Sequence, residues 1–347
     1  MGKWAKEEQM KLNVRDQAIT INGLVSHCKC KCAHCLLESG DGKLAEVPFE
    51  KLRALAMKFV GFPQQTGIEV LMAAYNCSDF PELPQSVETN KLLTPYFGYQ
   101  NLNGTPIRAG KELADWVSYL KNDCSLSNAN LSWFGLRDFH DSFAHAPGYF
   151  DFLMDLAAEL QRQEIAYTNS IFILKSNLGM LEKLSTALIP LGGKLHFSLL
   201  DYKGAAKKLL REFLTSETDV PAFVVESGTY NIKRNRMQSA WVQAALNGTA
   251  PAYTKRFLFL VAAPDNIDRY LSMSASELVD MLRDLDRRMQ DAIPSIEFLA
   301  SEYGSSAPEV LTDFRSAVWM WTDLYFRDAG IDENLAFCEL HNTVMWR

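Results

Sequence analysis

The sequence has no hydrophobic run long enough to span a membrane and no excess of basic residues. Its 347 residues are 48% hydrophobic and 22% charged, and the formal net charge is -7. Nucleic acids are polyanions that bind basic surfaces, so this balance argues against a nucleic acid as the main partner. The first eight residues contain no apolar core of a secretory signal. We therefore expect no membrane partner, no nucleic-acid partner and a cytoplasmic location.

Cysteine is absent from most of the chain and concentrated in one place. Of the seven cysteines, four lie between residues 28 and 35, and only Cys338 lies beyond residue 124. An odd number of clustered cysteines does not suit the disulfide framework of a small secreted protein. The distribution indicates metal binding in a reducing compartment.

Segments with strand-like and helix-like patterns alternate through the first two thirds of the chain. Six such units, each of roughly 30 residues, indicate parallel strands joined by right-handed crossovers. The predicted fold class is α/β, as a partial (β/α)6 TIM-like barrel, and an open doubly wound sheet fits the same alternation. The predicted strands cover residues 17–25, 68–74, 99–102, 129–134, 167–174 and 194–200.

The pattern changes after about residue 220. Residues 256–262 form one more strand candidate, whereas 276–303 and 308–327 have helical spacing. We expect a mostly helical C-terminal extension that caps the barrel and helps to bind the substrate. The predicted divisions are an N-terminal arm at 1–16, a barrel core at 17–215 and the extension at 216–347.

The cysteine-rich segment directly follows the first predicted strand. Cys28, Cys32 and Cys35 have the spacing C-x3-C-x2-C. Three thiolates can hold three irons of a [4Fe–4S] cube and leave the fourth iron open to a ligand. The carboxyl ends of parallel strands are where α/β folds carry functional residues. Zinc or incidental thiols are the alternatives, although structural zinc usually takes separated pairs and a fourth ligand. Cys30 is expected to be a bystander, because including it breaks the spacing.

This arrangement resembles the radical S-adenosylmethionine (SAM) superfamily. The cysteine motif after strand 1 carries the resemblance, and His34 stands where an aromatic residue or a histidine commonly precedes the last cysteine. Further similarities follow in the same order and resemble the branch of peptide- and cofactor-maturing enzymes. They lie at 102–104, 131–135, 140–141, 147–150, 174–178 and 202–204, so that the resemblance covers about residues 17 to 210.

The resemblance implies two cofactors, a [4Fe–4S] cluster and SAM. The implied cluster ligands are Cys28, Cys32 and Cys35. A polar residue of strand 4 contacts SAM in the branch that this chain resembles. The residues implied to bind SAM are Ala74, Tyr75, Asn76, Asn103, Ser132, Arg137, Lys175 and Ser176.

Two positions depart from the family pattern. Ala74-Tyr75-Asn76 stands where the family usually has Gly-Gly-Glu, which receives the SAM amino group. Backbone carbonyls can still accept from the ammonium, and an amide oxygen is a weaker, neutral acceptor than a carboxylate. Ala144 stands where an arginine often pairs with the SAM carboxylate, and Arg137 is the candidate substitute.

The resemblance implies a single-cluster enzyme, since no cysteine-rich C-terminal segment for auxiliary clusters is present. Such enzymes take an electron from flavodoxin or ferredoxin, cleave SAM and abstract hydrogen from an unactivated C–H bond. We expect a peptide or amino-acid-derived substrate, modified by epimerisation, crosslinking or thioether formation. A small molecule such as a sugar, nucleoside or free amino acid is the alternative, and a non-catalytic metal-binding scaffold or sensor is the second. Cys338 is a candidate hydrogen-atom donor.

Overall fold

Strands and helices alternate along the chain as predicted. The computed structural model describes residues 18–23, 27–35, 46–75, 77–95, 97–251 and 257–331. The predicted α/β fold class is confirmed, and all six predicted strands are present with ends that differ by only a few residues. The strands are β1 (Ala18–Asn22), β2 (Glu69–Ala73), β3 (Tyr99–Asn101), β4 (Asn128–Trp133), β5 (Ala166–Ile173), β6 (Lys194–Leu199), β7 (Asn235–Met237), β8 (Phe257–Val261) and β9 (Leu311–Asp313).

Helices follow the strands and dominate the C-terminal part of the described chain. Two 3-10 segments, Lys175–Met180 and Gly204–Glu212, follow β5 and β6. The α-helices are α1 (Phe49–Met57), α2 (Phe62–Thr66), α3 (Leu83–Leu93), α4 (Gly110–Asn122), α5 (Arg137–Ala144), α6 (Tyr149–Arg162), α7 (Leu181–Leu188), α8 (Ala222–Glu226), α9 (Gln238–Leu246), α10 (Ile267–Ser272), α11 (Ala275–Ala292), α12 (Ile296–Tyr303) and α13 (Phe314–Ala329).

The parallel strands form two sheets. The first has the order β2-β1-β8 and the second the order β3-β4-β5-β6, and all of their pairs are parallel. The strand predicted at 256–262 is therefore β8, which lies beside β1 with Leu258 opposite Ile19. Because the strands of each sheet are parallel, their carboxyl ends lie at one edge of that sheet. The connections between them cross over from one edge to the other.

Where the two sheets divide, the side chain of Asn90 forms hydrogen bonds with the backbone of β2. Within the described residues no ladder joins β2 to β3. The Asn90 side chain of α3 instead donates to the Met72 carbonyl at 2.9 Å and accepts from the Met72 N–H at 2.8 Å. A buried backbone group needs a partner, and one amide side chain supplies both a donor and an acceptor. One backbone bond links the chain after β2 to β3: the Ser78 N–H donates to the Asn101 carbonyl at 3.0 Å.

Residues of the barrel strands alternate between a buried, mostly apolar face and a less buried face. Alternate residues such as Ile19, Val70, Leu131 and Ile171 are fully buried, and helices contact this outer face. Burying each such side chain contributes about 1.5–3 kcal/mol, so the outer face holds the helices on the sheets. The residues between them are half-buried or exposed and form an inner face that turns away from the helices. Its polar members on β4 to β6 are Asn128, Asn130, Ser132, Thr168, Ser170, Lys194, His196 and Ser198.

Two hydrogen bonds connect the C-terminal residues to the chain that follows β6. The Leu311 N–H donates to the Leu214 carbonyl at 2.7 Å, and the Tyr202 N–H donates to Ser316 Oγ at 3.0 Å. Helix α13 begins where Asp313 accepts a hydrogen bond from the Ser316 N–H, which is an N-cap. The described ranges contain no helix with the length and apolar character needed to cross a bilayer.

Replacing Asn90 with leucine tests its role at the division between the sheets. Asn90→Leu keeps a similar volume but leaves the Met72 N–H and carbonyl without their partner. We expect the free energy of unfolding to fall by about 2–4 kcal/mol, because each buried unsatisfied group costs about 1–3 kcal/mol. Urea unfolding followed by circular dichroism measures this. Gln85→Leu makes the same chemical change at an exposed position of α3. An equal loss in both variants would refute the bracing role.

Candidate metal and cofactor site

The cysteine segment is an extended stretch held by its backbone. Every second N–H from residue 29 to residue 33 donates to a carbonyl in the loop after β3 or at the end of α5. In an extended chain, side chains point alternately to opposite sides, so this bonding pattern fixes which side chains face inward. The hydrogen bonds run from Lys29 to Gly104 at 2.7 Å, from Lys31 to Ala144 at 3.0 Å and from Ala33 to Phe143 at 2.8 Å.

The thiols and the lysines of this segment lie on opposite sides. Lys29 and Lys31 are exposed, whereas Cys28 and Cys32 are half-buried and Cys30 is buried. The side that carries the three thiols therefore faces the protein and the side that carries the lysines faces solvent. Half-buried thiols at strand ends can be reached by a bound group, which a fully buried thiol cannot.

Cys35 joins the same site through a turn. Its N–H donates to the Cys32 carbonyl at 2.9 Å, and its carbonyl accepts from the Ala205 N–H at 3.1 Å. The second bond connects the cysteine segment to the chain that follows β6. The segment is thus anchored to the loop after β3, to the end of α5 and to the chain after β6. The connections that follow the carboxyl ends of parallel strands are where functional residues are predicted.

Gly104 provides the space that the Cys28 thiol occupies. Its φ is +77°, and a Cβ built on it would lie 2.2 Å from Cys28 Sγ. Glycine is needed for both reasons, the left-handed backbone and the close approach. The loop after β3 is therefore shaped around the first cysteine of the motif.

The donor set fits an iron–sulfur cluster. The six described cysteines are thiols, not disulfides. Thiolates are the usual ligands of iron–sulfur clusters, and a [4Fe–4S] cube places each thiolate on a different iron. Cys28, Cys32 and Cys35 are the residues that would hold the cube.

Cys30 differs from its neighbours in burial. It is 3% exposed and belongs to the apolar core. A hydrogen bond with Cys28 lowers the pKa of its thiol, but a hydrogen bond with Cys32 and burial outweigh this and raise the pKa above the usual value. A buried neutral thiol behaves as a small apolar side chain, which supports the expectation that Cys30 is a bystander.

His34 packs the cysteine segment against the ends of β4 and β5. Its ring centroid lies 4.8 Å from that of Phe134, 4.9 Å from that of Phe172 and 5.5 Å from that of Phe143. Burial lowers the pKa of the imidazole to about 4. Nδ1 of this ring is buried and has no hydrogen-bond partner among the described residues. A buried polar atom without a partner is unusual and is the kind of group that a bound ligand satisfies.

Asn103 connects the turn after β3 to strand β4. Its Nδ2 donates to Asn101 Oδ1 at 2.7 Å and to the Asn130 carbonyl at 3.1 Å, and its Oδ1 accepts from the Ser132 N–H at 2.7 Å. Both amide hydrogens and the oxygen thus have partners within the protein. The side chain positions Ser132, whose own side chain remains half-buried on the inner face.

Ser132 lies in a row of polar residues across three strands. It is in register with Ser170, which is in turn in register with His196. Ser170 Oγ also donates, at 2.6 Å, to Oδ1 of Asn130, which lies two residues before Ser132 on β4. Hydroxyl and amide groups of this kind can accept or donate hydrogen bonds, so the row can bind a polar ligand.

The strand-2 positions lie beside the cysteine segment. A Cβ on Gly23 would lie 2.8 Å from the Ala74 carbonyl, so the ends of β1 and β2 approach closely. Tyr75 packs against His27, which precedes Cys28, at 4.4 Å between ring centroids. Burial, together with the charges of two nearby glutamates, raises the pKa of Tyr75 to about 12. Asn76 and Cys338 lie outside the described residues.

Three predicted SAM residues have positions away from the polar row. Arg137 pairs with Asp151 at 2.7 Å on an exposed surface, and Lys175 is exposed. Both the N–H and the hydroxyl of Ser176 donate to Glu212. Ser176 and Glu212 line a cleft of about 280 Å³ that also contains Ala33 of the cysteine segment. These contacts join the segments after β5 and β6.

The His140-Asp141 pair supports the local structure. Nδ1 of His140 accepts from the Phe134 N–H at 3.3 Å. The two Asp141 carboxylate oxygens accept from the N–H groups of Gly148 and Phe150, which caps the start of α6. Burial lowers the pKa of His140 to about 4, an effect that the Asp141 charge partly opposes.

Sequence reasoning assigned no role to a charged group after β6. Asp201 and Lys203 follow β6 directly and face Arg315 and Trp319 of α13. The signal available in the sequence was the segment 202–204 at the end of the predicted strand 6. The partners from α13 lie more than a hundred residues further along the chain, so no local pattern could place them there.

Comparisons with known proteins give structural similarities only. No family model matches the sequence, and no curated protein matches it. Similar solved structures include anSMEcpe with bound S-adenosylmethionine and the Cp18Cys peptide, with 12% identity, 92% of this chain and 99% of that chain covered, and a TM-score of 0.48.

Two other structures have similar scores. Coproporphyrinogen III oxidase (HemN) from Escherichia coli, described as a radical SAM enzyme, has 9% identity, 92% and 93% coverage and a TM-score of 0.45. Streptococcus suis SuiB bound to S-adenosylmethionine has 13% identity and a TM-score of 0.40, with 56% of this chain and 42% of SuiB covered. The functional assignment therefore depends on the residues of the site itself.

His140 predicts a pH dependence of stability. Its pKa is lowered on folding, so the unfolded chain binds the proton more readily, and stability falls as pH decreases from about 6.5 towards 4. Between pH 7.0 and 4.5, we expect His140 to account for a loss of about 2 kcal/mol in unfolding free energy.

The variant His140→Gln, which keeps an acceptor for the Phe134 N–H, should lose about 2 kcal/mol less than wild type over this range. Urea unfolding of the metal-free protein at both pH values measures the difference. His145→Asn, at an exposed position with a left-handed backbone that asparagine tolerates, is the control. If His140→Gln and wild type lose equal stability, His140 is not the group responsible.

Gly104→Ala tests the space around Cys28. The added Cβ collides with Cys28 Sγ, so we expect the variant to lose most of the iron that wild type retains after anaerobic reconstitution. Gly67→Ala is a matched control, because Gly67 has a φ of +75° but no atom within 4 Å of the added Cβ. Both variants should lose about 1 kcal/mol of stability from the backbone conformation. Equal iron content in the two variants would show that the contact with Cys28 does not matter.

Proposed function

We propose that this chain is a radical SAM enzyme. The observation that carries the proposal is the anchored cysteine segment, in which Cys28, Cys32 and Cys35 lie at the carboxyl ends of parallel strands and the first thiol occupies space left by Gly104. A structural thiol cluster would not need half-buried thiols beside a polar face. The arrangement supports a bound group that is accessible from the inner face of the strands.

The chain's own residues would fix the geometry of the reaction. When bound, a [4Fe–4S] cluster with an open iron would supply the one-electron reduction of SAM, which is the chemistry that opens unactivated C–H bonds to hydrogen abstraction. Cys28, Cys32 and Cys35 would hold three irons and leave one open. The backbone bonds at Lys29, Lys31 and Ala33 hold these ligands in place, which limits the reorganisation that binding requires.

The polar row and the strand-2 end would bind SAM. Ser132 offers a half-buried hydroxyl on the inner face, and backbone carbonyls near Ala74 can accept from an ammonium group. Asn103 acts on Ser132 through the backbone bond described above, so its role is positioning. His34 Nδ1 is a buried group that a ligand could satisfy from the cysteine side. Arg137, Lys175 and Ser176 have partners or positions that support structural roles.

For the substrate, we propose a peptide or an amino-acid-derived compound, modified by epimerisation, crosslinking or thioether formation. A sugar or nucleoside is the alternative. The inner face carries hydroxyl, amide and imidazole groups, which suit a polar substrate. A flavodoxin or ferredoxin is the proposed electron donor. Cys338 remains a predicted hydrogen-atom donor, and the extension at 216–347 remains the predicted cap and substrate-binding part.

Cysteine variants test the proposal directly. After anaerobic reconstitution, wild type should contain about four irons per chain and form 5′-deoxyadenosine from SAM and dithionite. Cys28→Ala, Cys32→Ala and Cys35→Ala should each lose both properties, and Cys30→Ala should keep them. Iron analysis and chromatography measure the two outcomes.

The same experiment separates the competing functions. A full cluster with no 5′-deoxyadenosine would favour a scaffold or sensor over an enzyme. Zinc in place of iron, or loss of iron in Cys30→Ala but not in Cys35→Ala, would refute the ligand assignment.

A further inference from the structure

A shallow cleft lies on the solvent-facing side of the cysteine segment. Its volume is about 280 Å³, and Ala33 forms part of its lining. Because side chains alternate along the extended segment, Ala33 lies on the same side as the exposed Lys31. Neighbouring Cα atoms are about 3.8 Å apart, so the cleft reaches the chain one residue away from Cys32, a proposed cluster ligand.

Hydrogen bonds connect the two walls of the cleft to the cysteine segment. The first wall is α5, in which the Phe143 carbonyl accepts from the Ala33 N–H at 2.8 Å. The second wall is the 3-10 segment after β6, which donates to the Cys35 carbonyl as described above. Ser176 and Glu212 close the space between the walls, because the N–H and the hydroxyl of Ser176 both donate to Glu212. The walls and the thiols are therefore parts of one connected unit.

Aromatic and aliphatic side chains form the floor of the cleft. Phe139, Phe143 and Leu209 all line it. The rings of Phe139 and Phe143 are close to parallel, with 14° between their planes and 6.1 Å between their centroids. Phe143 also packs against His34 of the cysteine segment, at 5.5 Å between ring centroids. An apolar floor of this kind suits the edge of a planar ring.

Cations surround this floor, although the chain as a whole carries a formal net charge of -7. Lys31 and Lys175 are exposed, and neither pairs with a carboxylate within the described residues. The Arg211 side chain is 83% exposed, even though Glu212 lies 3.7 Å from it. Asp138 is an exposed acid of α5. Three cations thus stand against two carboxylates, and this local positive balance favours an acidic partner.

We propose that this cleft docks a flavodoxin, a small acidic protein that carries electrons on a flavin. The edge of the flavin lies on the apolar floor, and acidic side chains of the flavodoxin pair with Lys31 and Arg211. In the transfer the flavodoxin is oxidised by one electron and the cluster is reduced by one, and no bond forms or breaks. The inference rests on the proposed function, because the electron is delivered to a cluster held by Cys28, Cys32 and Cys35.

The shape of the cleft favours a docked protein over a small ligand. A cofactor-sized ligand is normally enclosed in a pocket that covers most of its surface. Here the lining includes the exposed residues Ser142, His145 and Arg211, so the cleft is open to solvent. A small interface is sufficient for an electron carrier, since such complexes are weak and transient. A ferredoxin is also acidic, but its own backbone covers its cluster, so it offers no planar apolar edge.

Calorimetry under anaerobic conditions tests the docking directly. The reconstituted protein is titrated with a purified, oxidised bacterial flavodoxin, so that no electron is transferred during the measurement. We expect a Kd that rises at least about fivefold when the salt concentration increases from about 50 to about 300 mM, because screening weakens attraction between surface charges. A ferredoxin of similar net charge, titrated in the same way, should bind at least about fivefold more weakly than the flavodoxin.

Variants assign the binding to this cleft. Lys31→Glu and Arg211→Glu should each raise the Kd at least about tenfold, because each replaces an attraction with a repulsion. Ser142→Trp should weaken binding to a similar extent without a change of charge, because the indole fills the cleft. Lys31→Arg should retain the affinity. Lys194→Glu is the matched control, because Lys194 is exposed at the amino end of β6, at the opposite edge of the sheet, and should leave the Kd unchanged.

A comparison of two reductants measures the electron delivery itself. The rate of 5′-deoxyadenosine formation with reduced flavodoxin is divided by the rate with dithionite, a small reductant that needs no docking surface. This ratio should fall at least about tenfold in Lys31→Glu, Arg211→Glu and Ser142→Trp, and it should not change in Lys194→Glu. Iron analysis and thermal unfolding identify any variant that has lost its cluster or its fold. If Lys31→Glu is such a variant, the exposed Arg211→Glu supplies the comparison.

The outcomes separate this inference from the proposed function. A flavodoxin that binds every variant equally, a Kd that does not depend on salt, or an equally tight ferredoxin overturns the docking proposal. A protein that forms 5′-deoxyadenosine with dithionite but does not bind flavodoxin also overturns it, and the proposed function then stands. If the binding pattern holds and neither reductant yields 5′-deoxyadenosine, the docking surface stands and the proposed function fails.

Discussion

The backbone hydrogen bonds of residues 29–33 are the constraint on which the site depends. Because the N–H groups of Lys29, Lys31 and Ala33 all have carbonyl partners at strand or helix ends, the extended conformation of the segment is fixed. That conformation determines which thiols face the protein. It also explains why Gly104 is needed where Cys28 approaches. A flexible loop with the same cysteines would have to order itself around a cofactor, at a cost in conformational entropy.

The sheets supply the platform for this segment by separating two kinds of face. Apolar residues on the outer face pack against the helices and stabilise the fold. The inner face carries polar side chains, which contribute little to this packing. At the division between the sheets, the Asn90 side chain forms hydrogen bonds with both the N–H and the carbonyl of Met72 in β2. The polar row on β4 to β6 can bind a polar ligand, and the segment after β6 contacts the cysteine segment through the hydrogen bond from the Ala205 N–H to the Cys35 carbonyl.

Local patterns predicted much of this fold and part of the site. Alternation of short apolar runs with helical spacing located six strands, and the cysteine spacing after the first of them located the segment. Pairing of β8 with β1 was beyond such patterns, because it joins residues far apart in the chain. The same is true of Trp319 beside Lys203. Arg137 shows another limit: a sequence position cannot reveal the local partner of a side chain, which here is Asp151.

The central claim is that three cysteines leave one iron open to SAM, and electron–nuclear double resonance tests it most directly. The reconstituted, reduced protein is measured with SAM that carries nitrogen-15 in its amino group. The account predicts a hyperfine coupling of the size expected for nitrogen bonded to a cluster iron, and its loss when unlabelled SAM is used. A spectrum in which SAM produces no nitrogen coupling, with a full cluster present, would contradict the account.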